Sequence, residues 1–151
     1  MNNSRRVALK TTGAFATLVS LGIITQSQAQ AAVDHASFQV KTLEDALKAI
    51  GGTAATSDQV SVVSPDIAEN GAVVPVGATS KLPNTTEMYL LVEKNPTPLA
   101  AGFSIPAGTE PEVQTRLKMG QSTNVVAVVK ADGKLYSATK ETKVTLGGCG
   151  G

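Results

Sequence analysis

Apolar and polar residues alternate along this chain with two different periods. Between Thr42 and Gly52 the period is helical, with Leu43, Ala46, Leu47 and Ile50 falling at i, i+3, i+4 and i+7. Thr42 stands where a capping hydroxyl belongs, Glu44 and Asp45 occupy the first turn, and Gly51 follows the last periodic residue. The spacing predicts one short helix, too short to persist unless its apolar face docks on something.

Downstream the period is two. Val60–Val63 is a first short run, and Asp66-Ile67-Ala68 leads into Glu69-Asn70-Gly71, a turn signal because Asn-Gly accepts positive φ. Ala72–Ala78 follows, and Pro75 inside it predicts an edge strand or a bulge. Glu87–Glu93 is apolar on both faces, with Met88, Leu90 and Val92 on one and Tyr89 and Leu91 on the other. Leu99, Ala101, Phe103 and Ile105 alternate with small residues. Val113, Thr115, Leu117 and Met119 alternate with Gln114, Arg116 and Lys118, so one face there is wet. Thr123–Lys130 is again apolar on both faces. Ala131-Asp132-Gly133-Lys134 reads as a hairpin turn into Leu135–Thr139, and Glu141–Leu146 closes the set with Thr142, Val144 and Leu146 inward.

Seven or eight short strands with turns at regular spacing predict a mainly β chain folded as an antiparallel sandwich. A sandwich buries one face of each strand, so the second apolar face of 87–93 and 123–130 needs a cover. The helix at 42–50 is expected to supply part of it and another protein chain the rest.

The first 31 residues follow neither period. Arg5 and Arg6 precede an apolar stretch, Ala14–Ile24, that at 11 residues is shorter than the roughly 20 a bilayer requires. Ala29-Gln30-Ala31 then offers a small-x-small cleavage site. The paired arginines resemble the twin-arginine export signature, although Ala8 stands where an aromatic is common. A membrane anchor would use similar residues, but the three parts stand in the order a signal peptide requires and no second apolar segment follows. The expected organisation is a signal peptide over 1–31, a sandwich domain over 32–146 and a tail over 147–151, with the mature protein in the periplasm and off the membrane.

Composition narrows the chemistry. Aromatics are only 3% and Trp is absent, so a core must come from Val, Leu, Ile and Ala, and the Cys–Trp–Cys framework of antibody domains is impossible. Of 13 basic residues, Arg5, Arg6 and Lys10 lie in the leader and none of the 12 acids does, which leaves ten basic against 12 acidic residues and a net charge of −2. That balance gives no reason to expect a nucleic-acid partner. One His and one Cys do not make a usual zinc or haem site, so no metal or other cofactor is expected. His35, at the start of the mature chain, reads as an exposed residue. Glu110 and Glu112 read as solvated turn residues, and no nucleophile elbow or phosphate-cradling loop occurs. No catalytic role is therefore assigned to any residue.

What remains is the tail, Gly147-Gly148-Cys149-Gly150-Gly151. Its cysteine is the only one in the chain, in a protein addressed to an oxidising compartment where cysteines usually pair. The glycines leave the backbone free and the flanks of the thiol bare, which makes a thin, flexible arm. Cys149 can reach about 10 Å beyond Leu146 at 3.3–3.6 Å per residue, enough to enter a narrow cleft. An unperturbed thiol has a pKa near 8.5, so only a few per cent is thiolate near neutrality. No cationic side chain lies in the tail, so activation falls to whatever enzyme receives it. Cys149 is the candidate point of covalent attachment.

The terminal pentapeptide matches the carrier motif of the SoxY family, the sulfur-carrier subunits of the thiosulfate-oxidising Sox system. Ile67–Val76, Val92–Ala100 and Val128–Tyr136 are also similar to that family. The resemblance implies an immunoglobulin-like sandwich, a heterodimer with a smaller SoxZ-like subunit, and no catalysis by the chain itself. It further implies that a SoxAX-like haem enzyme conjugates thiosulfate to Cys149. A SoxB-like hydrolase then releases sulfate to leave a persulfide, which a SoxCD-like sulfane dehydrogenase oxidises where one is present. Two other readings use the same tail. A structural module could dimerise through an intermolecular disulfide at Cys149, or Gly151 could be adenylated and thiocarboxylated, which needs ATP that the periplasm lacks.

The leader makes a direct prediction. Protein purified from the periplasm should begin near Ala32 by N-terminal sequencing, and replacing Arg5 and Arg6 with Lys should abolish export; periplasmic protein beginning at Met1 would contradict it.

Overall fold

The helical period becomes helix α1, Leu43–Ile50, in a computed structural model that describes residues 34–145. The chain divides into two compact units, Met1–Ala36 and Ser37–Gly151, and α1 and all the strands belong to the second. Arg5, Arg6, Ala29 and Ala31 lie outside the described residues, as do Leu146 and the tail 147–151. His35 falls in a 3-10 turn, Asp34–Gln39, and its side chain is likewise outside the description. Thr42 caps α1 as the pattern predicts: its Oγ1 accepts from the Asp45 N–H at 3.1 Å and donates to Asp45 Oδ2 at 2.8 Å.

Nine strands follow among the described residues: β1 Ala55–Thr56, β2 Val60–Val63, β3 Ile67–Ala68, β4 Val74–Ser80, β5 Thr85–Val92, β6 Leu99–Ser104, β7 Glu112–Leu117, β8 Thr123–Ala131 and β9 Lys134–Val144. They form two sheets. The larger runs β1-β9-β8-β5-β6, with β3 also on β9, and the smaller runs β2-β4-β7. The long strands pair antiparallel, whereas the two-residue strands β1 and β3 lie parallel to β9. The two runs read as Leu135–Thr139 and Glu141–Leu146 are one continuous strand, because the break at Lys140 is polar but not a turn: Lys140 pairs with Val125 and the register runs through it unbroken. Strands β1 and β3 carry no periodic pattern of their own. They exist because the edge of β9 is there to pair with.

The sheets enclose one core. Val74, Val76 and Ala78 of β4 and Val113 and Leu117 of β7 face Met88, Leu90 and Val92 of β5 and Val125, Ala127 and Val129 of β8. A second core lies on the opposite face of the large sheet. There Ala46 and Ile50 of α1 pack with Leu91, Val126, Val128, Leu99 and Leu135, flanked by Leu43, Leu47 and Tyr89. Leu91 and Val128 are fully buried within the single chain. The cover expected mainly from another chain is thus supplied here by the protein's own helix, because Ala46 and Ile50, flanked by Leu43 and Leu47, pack on the β5–β8 face.

Pro75 also differs from expectation. Strand β4 is the centre of its sheet, yet β2 reaches only as far as Gly77, so at Pro75 the strand has β7 as its sole neighbour. The missing N–H removes no ladder bond on the β2 side. Asp132 and Gly133 do form the predicted hairpin, both with positive φ, 49° and 73°.

The second core makes α1 necessary for the large sheet. Leu91→Ala should cost about 2–5 kcal/mol of unfolding free energy in a urea titration. Thr139→Ala on the exposed outer edge should stay within about 0.5 kcal/mol.

Candidate functional site: the root of the C-terminal arm

Strand β9 carries the chain toward its tail, and the described structure ends at Thr145, where that strand gives way. Three connections gather at this end of the sandwich: residues 69–73 between β3 and β4, 93–98 between β5 and β6, and 118–122 between β7 and β8. Two of the stretches similar to the family, Ile67–Val76 and Val92–Ala100, therefore meet at the root. The third, Val128–Tyr136, spans the hairpin at the opposite end.

The last residues of β9 are held from both edges. On one edge, β3 and the residue before it accept from alternate amides: Lys143 N–H donates to Asp66 O at 2.9 Å and Thr145 N–H to Ala68 O at 3.1 Å. On the other edge, β8 pairs with β9 only as far as Thr123 opposite Thr142. Past that point the Ser122 hydroxyl takes over, accepting from Val144 N–H at 2.9 Å and lying 3.4 Å from Val144 O, to which it donates.

Side chains tie the segment entering β3 to the same strand. Thr142 Oγ1 is buried and donates to Ser64 Oγ at 2.9 Å, and Lys140 Nζ donates to Ser64 O at 2.6 Å and pairs with Asp66 Oδ1 at 3.0 Å. Asp66 is largely exposed, so that ion pair adds at most about 1 kcal/mol. The buried hydroxyl pair matters more, because removing either partner leaves a polar group unsatisfied in the core.

The connections are also tied to one another. Met119 N–H donates to Gly71 O at 2.7 Å, Asn95 Nδ2 donates to Lys118 O at 2.7 Å, and Lys94 N–H donates to Thr123 Oγ1 at 3.0 Å. Gly71 was expected for its freedom at positive φ, but its φ lies in the ordinary region. The turn is made instead by Asn70, whose Oδ1 accepts from Ala72 N–H at 3.0 Å. Glycine is required at 71 by close approach: a Cβ there would stand 2.4 Å from Met119 O and 2.9 Å from Val144 Cγ1.

Glu110 and Glu112 are exposed, as expected of solvated acids, although Glu112 begins a strand rather than a turn. A hollow of about 300 Å³ lined by Leu82, Thr86, Ile105 and Pro106 lies at the end of the sandwich away from the root, and no charged side chain lines it. Ser122 had no signal in the sequence, since a serine in a loop carries no period; Asn95 and Gly71 fall in stretches similar to the family, but their packing roles follow only from the tertiary structure.

Two sheets face to face, with hairpin connections and one helix on the outer face, make this chain an immunoglobulin-like β-sandwich. It belongs to the SoxY family: the model of sulfur oxidation protein SoxY matches residues 46–149. Among solved structures, the sulfur carrier protein SoxY from Chlorobium limicola f thiosulfatophilum is 38% identical with a TM-score of 0.63, covering 70% of this chain and 97% of its own. A superoxide reductase (neelaredoxin) from Ignicoccus hospitalis shares the fold alone, at 21% identity and a TM-score of 0.51 over 58% of this chain and 80% of its own. Curated protein sequences give no match.

The contact at Gly71 sets a test of the root. Gly71→Ala should destabilise the domain by at least about 2 kcal/mol, since backbone on one side and a packed valine on the other must shift. Gly120→Ala, where a Cβ meets nothing within 4 Å, should be near neutral in the same chemical denaturation series.

Proposed function

We propose that this chain is a periplasmic sulfur carrier that holds intermediates of thiosulfate oxidation on the thiol of Cys149. Carriage rather than catalysis is what membership in the SoxY family implies. The observation that carries the reading is the lone cysteine in its Gly-Gly-Cys-Gly-Gly setting, at the last position matched by the family model. The proposed domain organisation is a leader over 1–31, a sandwich over 32–146 and an arm over 147–151.

The chemistry begins with an oxidative conjugation. The thiol and thiosulfate lose one proton and two electrons to a haem enzyme, and a sulfur–sulfur bond forms, giving the S-thiosulfonate. Hydrolysis then breaks the bond between the outer sulfane sulfur and the sulfonate sulfur. Water supplies the oxygen that completes sulfate, two protons are released, and a persulfide anion stays on Cys149. A sulfane dehydrogenase would continue from there. A SoxZ-like subunit is the proposed stable partner, and the enzymes dock in turn.

The sandwich's part is mechanical. It presents the end of β9 as a fixed post, and from Thr145 the Cys149 Cα lies at most about 13–14 Å away. Glycines on either side of the thiol let the walls of an enzyme cleft close on it.

Cys149→Ser should abolish the mass gain seen by intact mass spectrometry after incubation with thiosulfate and the conjugating enzyme, with thermal unfolding unchanged. Gly148→Val and Gly150→Val keep the thiol but add a branched side chain beside it. Enzymatic loading should fall at least about tenfold, while reaction with a small free alkylating reagent should barely change. Normal loading of the valine variants would refute delivery by a thin arm. A disulfide-linked dimer with no thiosulfate adduct would mark the chain as a structural module instead.

A further inference from the structure

We infer that Ser122 is a positioning residue that sets where the carrier arm begins. The inference rests on the reading of Cys149 as the attachment point, but its observations lie within the sandwich.

A strand that outlasts its neighbour ordinarily frays, because its amides lose their partners. Strand β9 outlasts β8 by two residues, since the β8–β9 ladder stops at Thr142. The amides of Lys143 and Thr145 point to β3 and are held there. The amide of Val144 points the other way, to the side where β8 has ended, and Ser122 Oγ meets it at 2.9 Å. The same hydroxyl lies 3.4 Å from Val144 O. A serine hydroxyl carries one donor and two acceptor positions, so one side chain serves both main-chain groups of Val144 and replaces the missing residue of β8.

The hydroxyl is itself fixed. Its loop, 118–122, is bonded to Gly71 through Met119 and to Asn95 through Lys118. Gly120 N–H adds a longer contact of 3.5 Å to Asn95 Oδ1. Ser122 is half-buried rather than free to rotate into water. The post from which the arm departs is thus built by three connections, and Ser122 joins them to the strand.

The consequence for delivery is a short arm. With the clamp closed, four residues separate Thr145 from Cys149. With it open, the end of β9 is held on the β3 side alone, and fraying of that one edge would release Val144 and Thr145 and add about 7 Å of reach. Those residues must then be ordered again each time the thiol enters an enzyme. Ordering the two of them weakens productive docking by at least about tenfold.

The test compares the full mature protein with Ser122→Ala and Ser122→Thr, using thiosulfate and the enzyme that conjugates it, with the carrier concentration varied. Ser122→Ala should raise KM for the carrier about tenfold with kcat unchanged, and Ser122→Thr, which keeps the hydroxyl, should restore most of the loss. Native-state hydrogen exchange should show the Val144 amide losing protection in Ser122→Ala, with Thr145, still bonded to Ala68 O, losing less, while Val126 and Val128 keep theirs. A Gly-Gly insertion between Thr145 and Leu146 lengthens the arm without touching the clamp and should raise KM in the same way, so the inference stays testable if Ser122→Ala folds poorly. A protected Val144 amide in Ser122→Ala, or an unchanged KM in either variant, would overturn it. Loading of the wild type and its absence in Cys149→Ser, run alongside, separate the two claims. If the wild type loads and the clamp variants match it, only the role of Ser122 falls. If Cys149→Ser loads as well, the carrier reading falls, and the exchange data still decide whether Ser122 holds the strand.

Discussion

The large sheet must be buried on both faces, and the rest of the molecule is arranged around that requirement. Strands β5 and β8 present valine, leucine and methionine in both directions, so neither a second sheet nor a helix alone would keep them from water. The small sheet takes Met88, Leu90, Val92, Val125, Ala127 and Val129, and helix α1 takes Leu91, Val126 and Val128. Each fully buried side chain of this size contributes roughly 1.5–3 kcal/mol. The two layers together bury most of the central strands, from Met88 to Val92 and from Val125 to Val129. That burial is what lets β9, paired to β8 over nine positions, act as a stable post for whatever follows it.

Strand β9 is also where the chain solves an edge problem. The segment from β1 to β3 touches β9 at Tyr136–Ser137, leaves to form β2 in the small sheet, and returns to β9 at Lys143–Val144. One stretch of chain therefore laces the sheets together and caps the far edge of β9 at two places. The hydroxyl pair Ser64–Thr142 and the amine of Lys140 fasten the crossing between them. An open edge at this end of the sheet would invite pairing with another chain. Here the end that leads to Cys149 has partners on both sides.

At the root of the arm a strand paired on both edges gives way to a glycine-rich sequence within a few residues. Up to Thr145 the backbone is held by Ala68 and Ser122, and beyond Leu146 the sequence turns to glycine. A carrier needs both properties: a fixed origin limits the volume the thiol must search, and bare flanks let it enter a cleft. The distinctive stretches around Asn70 and Asn95 are better understood as builders of this origin than as contacts of the thiol. Asn70 shapes the turn that brings Gly71 under Met119, and Asn95 pins the loop that carries Ser122.

Much of this was legible in the residues alone. The helix at Leu43–Ile50, its cap at Thr42, the two-faced strands and the Asp132–Gly133 hairpin follow from local periodicity and from backbone preferences that each residue carries with it. The candidate thiol needed only a count, since Cys149 has no rival in the chain. What covers the second face of β5 and β8 was not local, because an apolar stripe has no address, and only packing shows that α1 sits on it. Pro75 by itself predicts an edge strand or a bulge, whereas the tertiary structure makes β4 central and ends β2 two residues short of the proline. Gly71 was read as a conformational residue, whereas the fold requires it for the approach of Met119 and Val144. Ser122 had no signal at all. A hydroxyl becomes a clamp only when strands far apart in sequence bring an unpaired amide to it, and that meeting is decided in three dimensions.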